Sequence, residues 1–113
     1  SPIIESLARL AVTENFDPET PGRRIVLVSD MLQNSELFTV YGRGRGPLET
    51  RLPDPRDVAR QVENEVGDAL AGVTVEVYLI PRPGWAREQE TVIRAYWSQV
   101  FRQLGVRERW SAL

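Results

Sequence analysis

Arg23 to Gln33, RRIVLVSDMLQ, is the stretch that most constrains the fold. Two arginines lead into four consecutive branched apolar residues, Ile25, Val26, Leu27 and Val28, and Ser29, Asp30 and Met31 follow at once. An aliphatic run of this kind, preceded by Pro21-Gly22 and closed by polar residues, reads as a strand buried on both faces. Such strands belong to parallel sheets covered by helices. In open α/β sheets ligands sit at the carboxyl ends of the strands. Asp30 stands at that end and is the best-placed functional residue in the sequence.

A length of 113 residues suits one domain, spanning 1–113, and not two. The net charge of −2 argues against a general nucleic-acid binder. There is no cysteine, hence no disulfide and no thiolate metal site, and no histidine, the usual general base and zinc ligand. All 14 basic residues are arginine, which removes Schiff-base chemistry and a P-loop lysine. No run approaches the roughly 20 apolar residues of a membrane span. The chain begins at Ser1 without a methionine, so upstream residues are expected to have been removed, and the localisation is left open.

Taken in order, Ser1 to Val12 reads as a helix, with Ser1 as N-cap, Pro2 at the first position and Ile3, Leu7, Leu10 and Ala11 on one face. Thr13 to Gly22 reads as a loop in which Phe16 reaches the core. The organising strand covers about 24–29. Ser35 to Tyr41 reads as a short strand or a loop packing Phe38 and Tyr41, and Gly42 to Pro53 as a loop. A helix begins at Asp54, with Pro55 at its first position and Val58, Val62, Val66, Ala69 and Leu70 in a stripe, and Gly72 ends it. Val73 to Ile80 is the second strand, with Val75, Val77 and Leu79 on one face. Arg87 to Leu104 is a long helix, and Val106 to Leu113 is a tail in which Trp110 packs back.

The order helix, strand, helix, strand, helix implies a parallel pair joined by a right-handed crossover of about 17 helical residues. Two strands are few for an independent sheet. A strand as apolar as Ile25–Val28 is normally central, so one of its edges is expected to be vacant or filled by Ser35–Tyr41, another copy or an upstream segment. The fold class expected is α/β, a three-layer sandwich on a small or partial parallel sheet of Rossmann-like type.

Three segments carry a family resemblance. SPIIESL at Ser1 to Leu7 is similar to the T-P-[LI]-x-x-A-L opening of a helix in von Willebrand factor A-like domains. RRIVLVSDM resembles their central strand ending in T-D-G, and VTVEVYLIP at Val73 to Pro81 resembles the next strand. The likeness covers nearly the whole chain and maps onto the C-terminal half of the family's fold. The D-x-S-x-S motif of the first half is not in this chain. The resemblance implies a divalent-ion site, usually magnesium, in which Ser1 matches a threonine and Asp30 an aspartate. Serine replaces that threonine, and Met31 stands where glycine is common. Two oxygen ligands are too few for a hard cation. The expectation is therefore no cofactor, or Mg2+ only if the missing upstream motif is supplied.

Each sharp reading has a plain competitor. Asp30 is either a metal or partner ligand, or the cap of the turn that follows it. Gly42-Arg43-Gly44-Arg45-Gly46 is followed by Pro47 and more loop, not by a helix, so a mobile surface loop is preferred over a phosphate cradle or a nucleic-acid contact. Glu63 and Glu65, like Glu88 and Glu90, sit two apart on helices and point in different directions. Ser29 has no histidine or lysine to activate it. Tyr96, Trp97, Phe101 and Trp110 read as core, and Trp85, past the end of a strand, as a contact residue.

The function expected is non-catalytic binding of a protein partner at the carboxyl edge of the sheet, through Asp30, Ser29, Gln33, Asn34 and Trp85. The alternatives are a magnesium-dependent α/β enzyme using Asp30, and self-association as a homodimer through an exposed strand edge.

Overall fold

The computed structural model describes residues 3–11, 22–33, 48 and 52–112. Its elements are α1 (Ile3–Ala11), β1 (Arg24–Ser29), α2 (Pro55–Val66), β2 (Thr74–Leu79), α3 (Ala86–Glu88), a π-helical turn (Gln89–Ile93), α4 (Arg94–Gln103) and β3 (Arg107–Ala112). The fold is α/β. Its sheet is all parallel in the order β1-β2-β3, with Ile25 opposite Val75 and Glu108, and Leu27 opposite Val77 and Trp110. The expected segments at Ser1, Phe16, Asn34 and Ser35–Tyr41 lie outside the described residues.

Two crossovers that step in the same direction put α2 and α4 on the same face by the right-handed rule. The alternation of burial in β2 agrees: Val75, Val77 and Leu79 are buried, while Thr74, Glu76 and Tyr78 are half-buried. The two helices and the π-helical turn before α4 press Val58, Val62, Ile93, Trp97, Val100 and Phe101 onto this face. Trp97 stacks at a tilt on Phe101, centroids 5.8 Å apart, and meets the edge of Tyr96 at 6.2 Å. Tyr96, Trp97 and Phe101 are thus core residues.

Three sequence expectations need correction. The aliphatic strand is not buried on both faces: Ile25 is buried, but Val26 and Val28 on the opposite face are 49% and 56% exposed. Nor is it central, because β2 takes that place and β1 lies at an edge among the described residues. The tail after Val106 is a third strand, which raises the sheet from two strands to three. The described helices form a single layer, so no described element occupies the third layer of the sandwich.

α2 starts as its sequence requires. The Asp54 carboxylate accepts from the Arg56 N–H at 2.9 Å, and Pro55 takes the first turn. It ends at Gly67 (φ 62°), five residues before Gly72, and Ala69 and Leu70 are buried in the turns that follow. Arg23 donates to the carbonyls of Ala69 (2.6 Å) and Ala71 (3.1 Å), tying this turn to the start of β1.

Candidate functional site at the carboxyl edge of the sheet

β1 and β2 end side by side, with the Ile80 N–H donating to the Ser29 carbonyl at 2.9 Å. Beyond Ser29 the chain turns sharply. The Met31 N–H donates to Ser29 Oγ and the Leu32 N–H to Asp30 Oδ1, both at 3.0 Å. These bonds make Asp30 the cap of its own turn, the plain competitor to the ligand reading. Met31 adopts φ 59°, a left-handed conformation that costs a side-chain-bearing residue roughly 1–2 kcal/mol. The turn tolerates it because Met31 is fully buried and its carbonyl accepts from Trp97 Nε1 at 2.9 Å.

The other Asp30 oxygen, Oδ2, lies 3.4 Å from Arg82 Nε. The Asp30 side chain is 13% exposed and that of Arg82 54%, so the pair sits at the rim with the cation outermost. Gln89 holds the rim together. Its Nε2 donates to the carbonyls of Asp30 and Ile80, each at 2.9 Å, and its Oε1 accepts from the Arg82 N–H at 2.9 Å. Gln89 is 1% exposed and opens the π-helical turn, an irregularity found often at functional sites. Trp85 sits four residues before it, half-buried, with its carbonyl accepting from the Gln89 N–H at 2.8 Å.

Ser29, Asp30 and Trp85 are therefore brought to one edge. Gln33 is near them in sequence but faces inward: it is 0% exposed, and its Oε1 accepts from the N–H groups of Ile3 (2.8 Å) and Ile4 (3.2 Å). Its Nε2 donates to Glu5 Oε1 at 3.0 Å. The side chain is a cap for α1, whose first N–H groups have no partner within the helix. Asn34 and Ser1 lie outside the described residues.

As a cation site the arrangement does not fit. Among the described residues no cluster of three or more acidic side chains is present, and Asp30 already has a guanidinium and a backbone N–H on its oxygens. Magnesium needs several oxygen ligands in octahedral geometry.

Sequence reasoning missed Gln89 and Arg82. Gln89 had a signal: it falls four residues before Ile93, on the apolar stripe continued by Trp97 and Val100, where a polar side chain must find partners.

A separate groove of about 890 Å3 runs between the start of α2 and the outer face of α4, lined by Pro53, Asp54, Arg56, Tyr96, Gln99 and Arg102 among others. It shares no residue with the Asp30 cluster. Its charged groups are partly spent on each other, with Arg56 paired to Asp54 at 3.1 Å. The Tyr96 hydroxyl donates to the Pro53 carbonyl at 2.7 Å. Burial, reinforced by Asp54 and Asp57, pushes that phenol well above its ordinary value.

No helix among the described residues is long and apolar enough to cross a membrane. No family model, curated protein or solved structure matches the chain.

Proposed function

We propose that this chain is a non-catalytic protein-binding module of von Willebrand A type, engaging its partner at the carboxyl edge of the sheet. The observation that carries the reading is the Asp30–Arg82 pair, presented at the end of β1 and held in place by the buried Gln89. A rigid, hydrogen-bonded backbone beneath exposed charge is a preorganised surface, which lowers the entropy lost on binding. Trp85 adds an aromatic anchor on the same rim, the residue type that most often dominates binding energy. The left-handed Met31 supports the family resemblance, since its position is where that family commonly has glycine. The chain lacks histidine, cysteine and lysine, so an enzymatic reading rests on Asp30 alone.

Affinity capture with the intact chain and two variants tests this reading. Asp30→Asn keeps the acceptor for the Leu32 N–H and removes the charge, and Trp85→Ala removes the anchor. A partner held by the parent chain and by a variant on the far side of α2, Arg60→Ala, but lost by both edge variants supports the edge. A partner retained by both edge variants contradicts it.

Self-association is the second reading, favoured by the position of β1 at the sheet edge among the described residues, with Val26 and Val28 exposed. Light scattering across a concentration series separates it: a mass that doubles with concentration supports pairing of two β1 edges, and a constant monomer mass removes it.

A further inference from the structure

The face of the sheet opposite the helices carries a second surface. Its three rows, read across β1, β2 and β3, are Arg24, Thr74, Arg107; Val26, Glu76, Arg109; and Val28, Tyr78, Ser111. Val26 and Val28 are about half exposed, and Ile80, 36% exposed, continues the β2 row past its end. All-parallel sheets occur almost always with both faces covered, because their strands bury apolar side chains in both directions. An apolar strip on an open parallel face marks a contact surface.

Charge selects the occupant. The face holds three arginines and one glutamate, a local charge of +2 on a chain whose net charge is −2. Glu76 is engaged by Arg24 at 3.6 Å, and no ion pair to Arg107 or Arg109 is found among the described residues. A second copy docked face to face would set like charges against each other, which disfavours that pairing. The apolar residues lie toward β1 and the free arginines lie on β3. A helix lying along the strands would thus meet the valines with one flank and the arginines with the other.

We propose that this face binds an acidic amphipathic helix of a partner protein, its apolar stripe on Val26, Val28 and Tyr78 and its carboxylates on Arg107 and Arg109. The surface is distinct from the Asp30 edge and does not depend on the function proposed for that edge.

The test uses the full chain and a synthetic helix of roughly five turns with a leucine stripe and glutamate flanks, against the same peptide with lysine for glutamate. Binding is read by fluorescence anisotropy and located by methyl NMR of the valines. The expected result is a preference of at least about tenfold for the glutamate peptide, with shifts at Val26 and Val28. The double variant Arg107→Glu/Arg109→Glu is expected to reverse the preference, and Val28→Asp to weaken both peptides. Both variants alter exposed side chains, and circular dichroism confirms their fold. Equal affinity for the two peptides, no binding at roughly millimolar peptide, shifts confined to other residues, or loss of the valine signals in a concentration-dependent dimer would each overturn the proposal.

Discussion

The Gln89 side-chain amide donates to the Asp30 carbonyl at 2.9 Å, joining groups 59 residues apart in sequence. The same amide serves Ile80 and Arg82, so one buried side chain fixes the ends of both β1 and β2. Gln89→Met keeps the length and leaves two carbonyls and one N–H, all part-buried, without their partner. Leaving buried polar groups unpaired costs roughly 1–3 kcal/mol each at full desolvation, so a loss of about 2–4 kcal/mol is expected by urea denaturation. A loss below about 0.5 kcal/mol would show that the amide is not what holds this edge.

Gln33→Leu tests the cap on α1. The N–H groups of Ile3 and Ile4 lose their acceptor, and a cost of about 1–3 kcal/mol is expected. Amide exchange in α1 is expected to accelerate more than in β2, because the change releases α1 directly while β2 remains central in the sheet.

Position 31 inverts the usual ranking of alanine and glycine. Both Met31→Ala and Met31→Gly remove a fully buried side chain, at a cost of about 2–5 kcal/mol. Only glycine relieves the left-handed backbone, so Met31→Gly is expected to be more stable than Met31→Ala by about 1 kcal/mol. Thermal unfolding of the pair decides it; alanine above glycine would contradict the φ of 59°.

Tyr96 gives an alkaline signature. Burial raises its folded pKa above the ordinary value of 10.0, so the folded state keeps a proton that the unfolded state loses above that value. This contribution is whole below pH 10 and declines as pH rises from there toward the folded pKa. Tyr96→Phe is expected to flatten the fall in stability above pH 10, and absorbance at high pH is expected to show one tyrosine ionising late.

Much of this fold was legible because burial and period agree. Val75, Val77 and Leu79 alternate as a half-buried strand should, and Val58 and Val62 sit one helical turn apart. β3 escaped notice because RERWSA offers one large apolar residue, Trp110, on its inward row, with charge or hydroxyl at most other positions. Edge strands tolerate such composition, since one side of them faces water. The run Ile25–Val28 misled in the other direction: four branched residues read as doubly buried, yet two of them stand on the open face. Within the site, Asp30 was visible from its place at the strand end. The buried roles of Gln33 and Gln89 depend on partners about 30 and 59 residues away, which no local pattern encodes.

Photo-crosslinking from the sheet edge most directly tests partner binding there. p-Azidophenylalanine in place of Trp85 puts the reactive group, half-buried, in the turn whose backbone bonds to Arg82 and Gln89, and the same residue in place of Arg60 places it on an exposed part of α2. The expected result is a discrete protein adduct from position 85, absent from position 60 and lost when Asp30→Asn is added. Adducts of equal yield from both positions, or an adduct at position 85 that survives Asp30→Asn unchanged, would contradict binding through this edge.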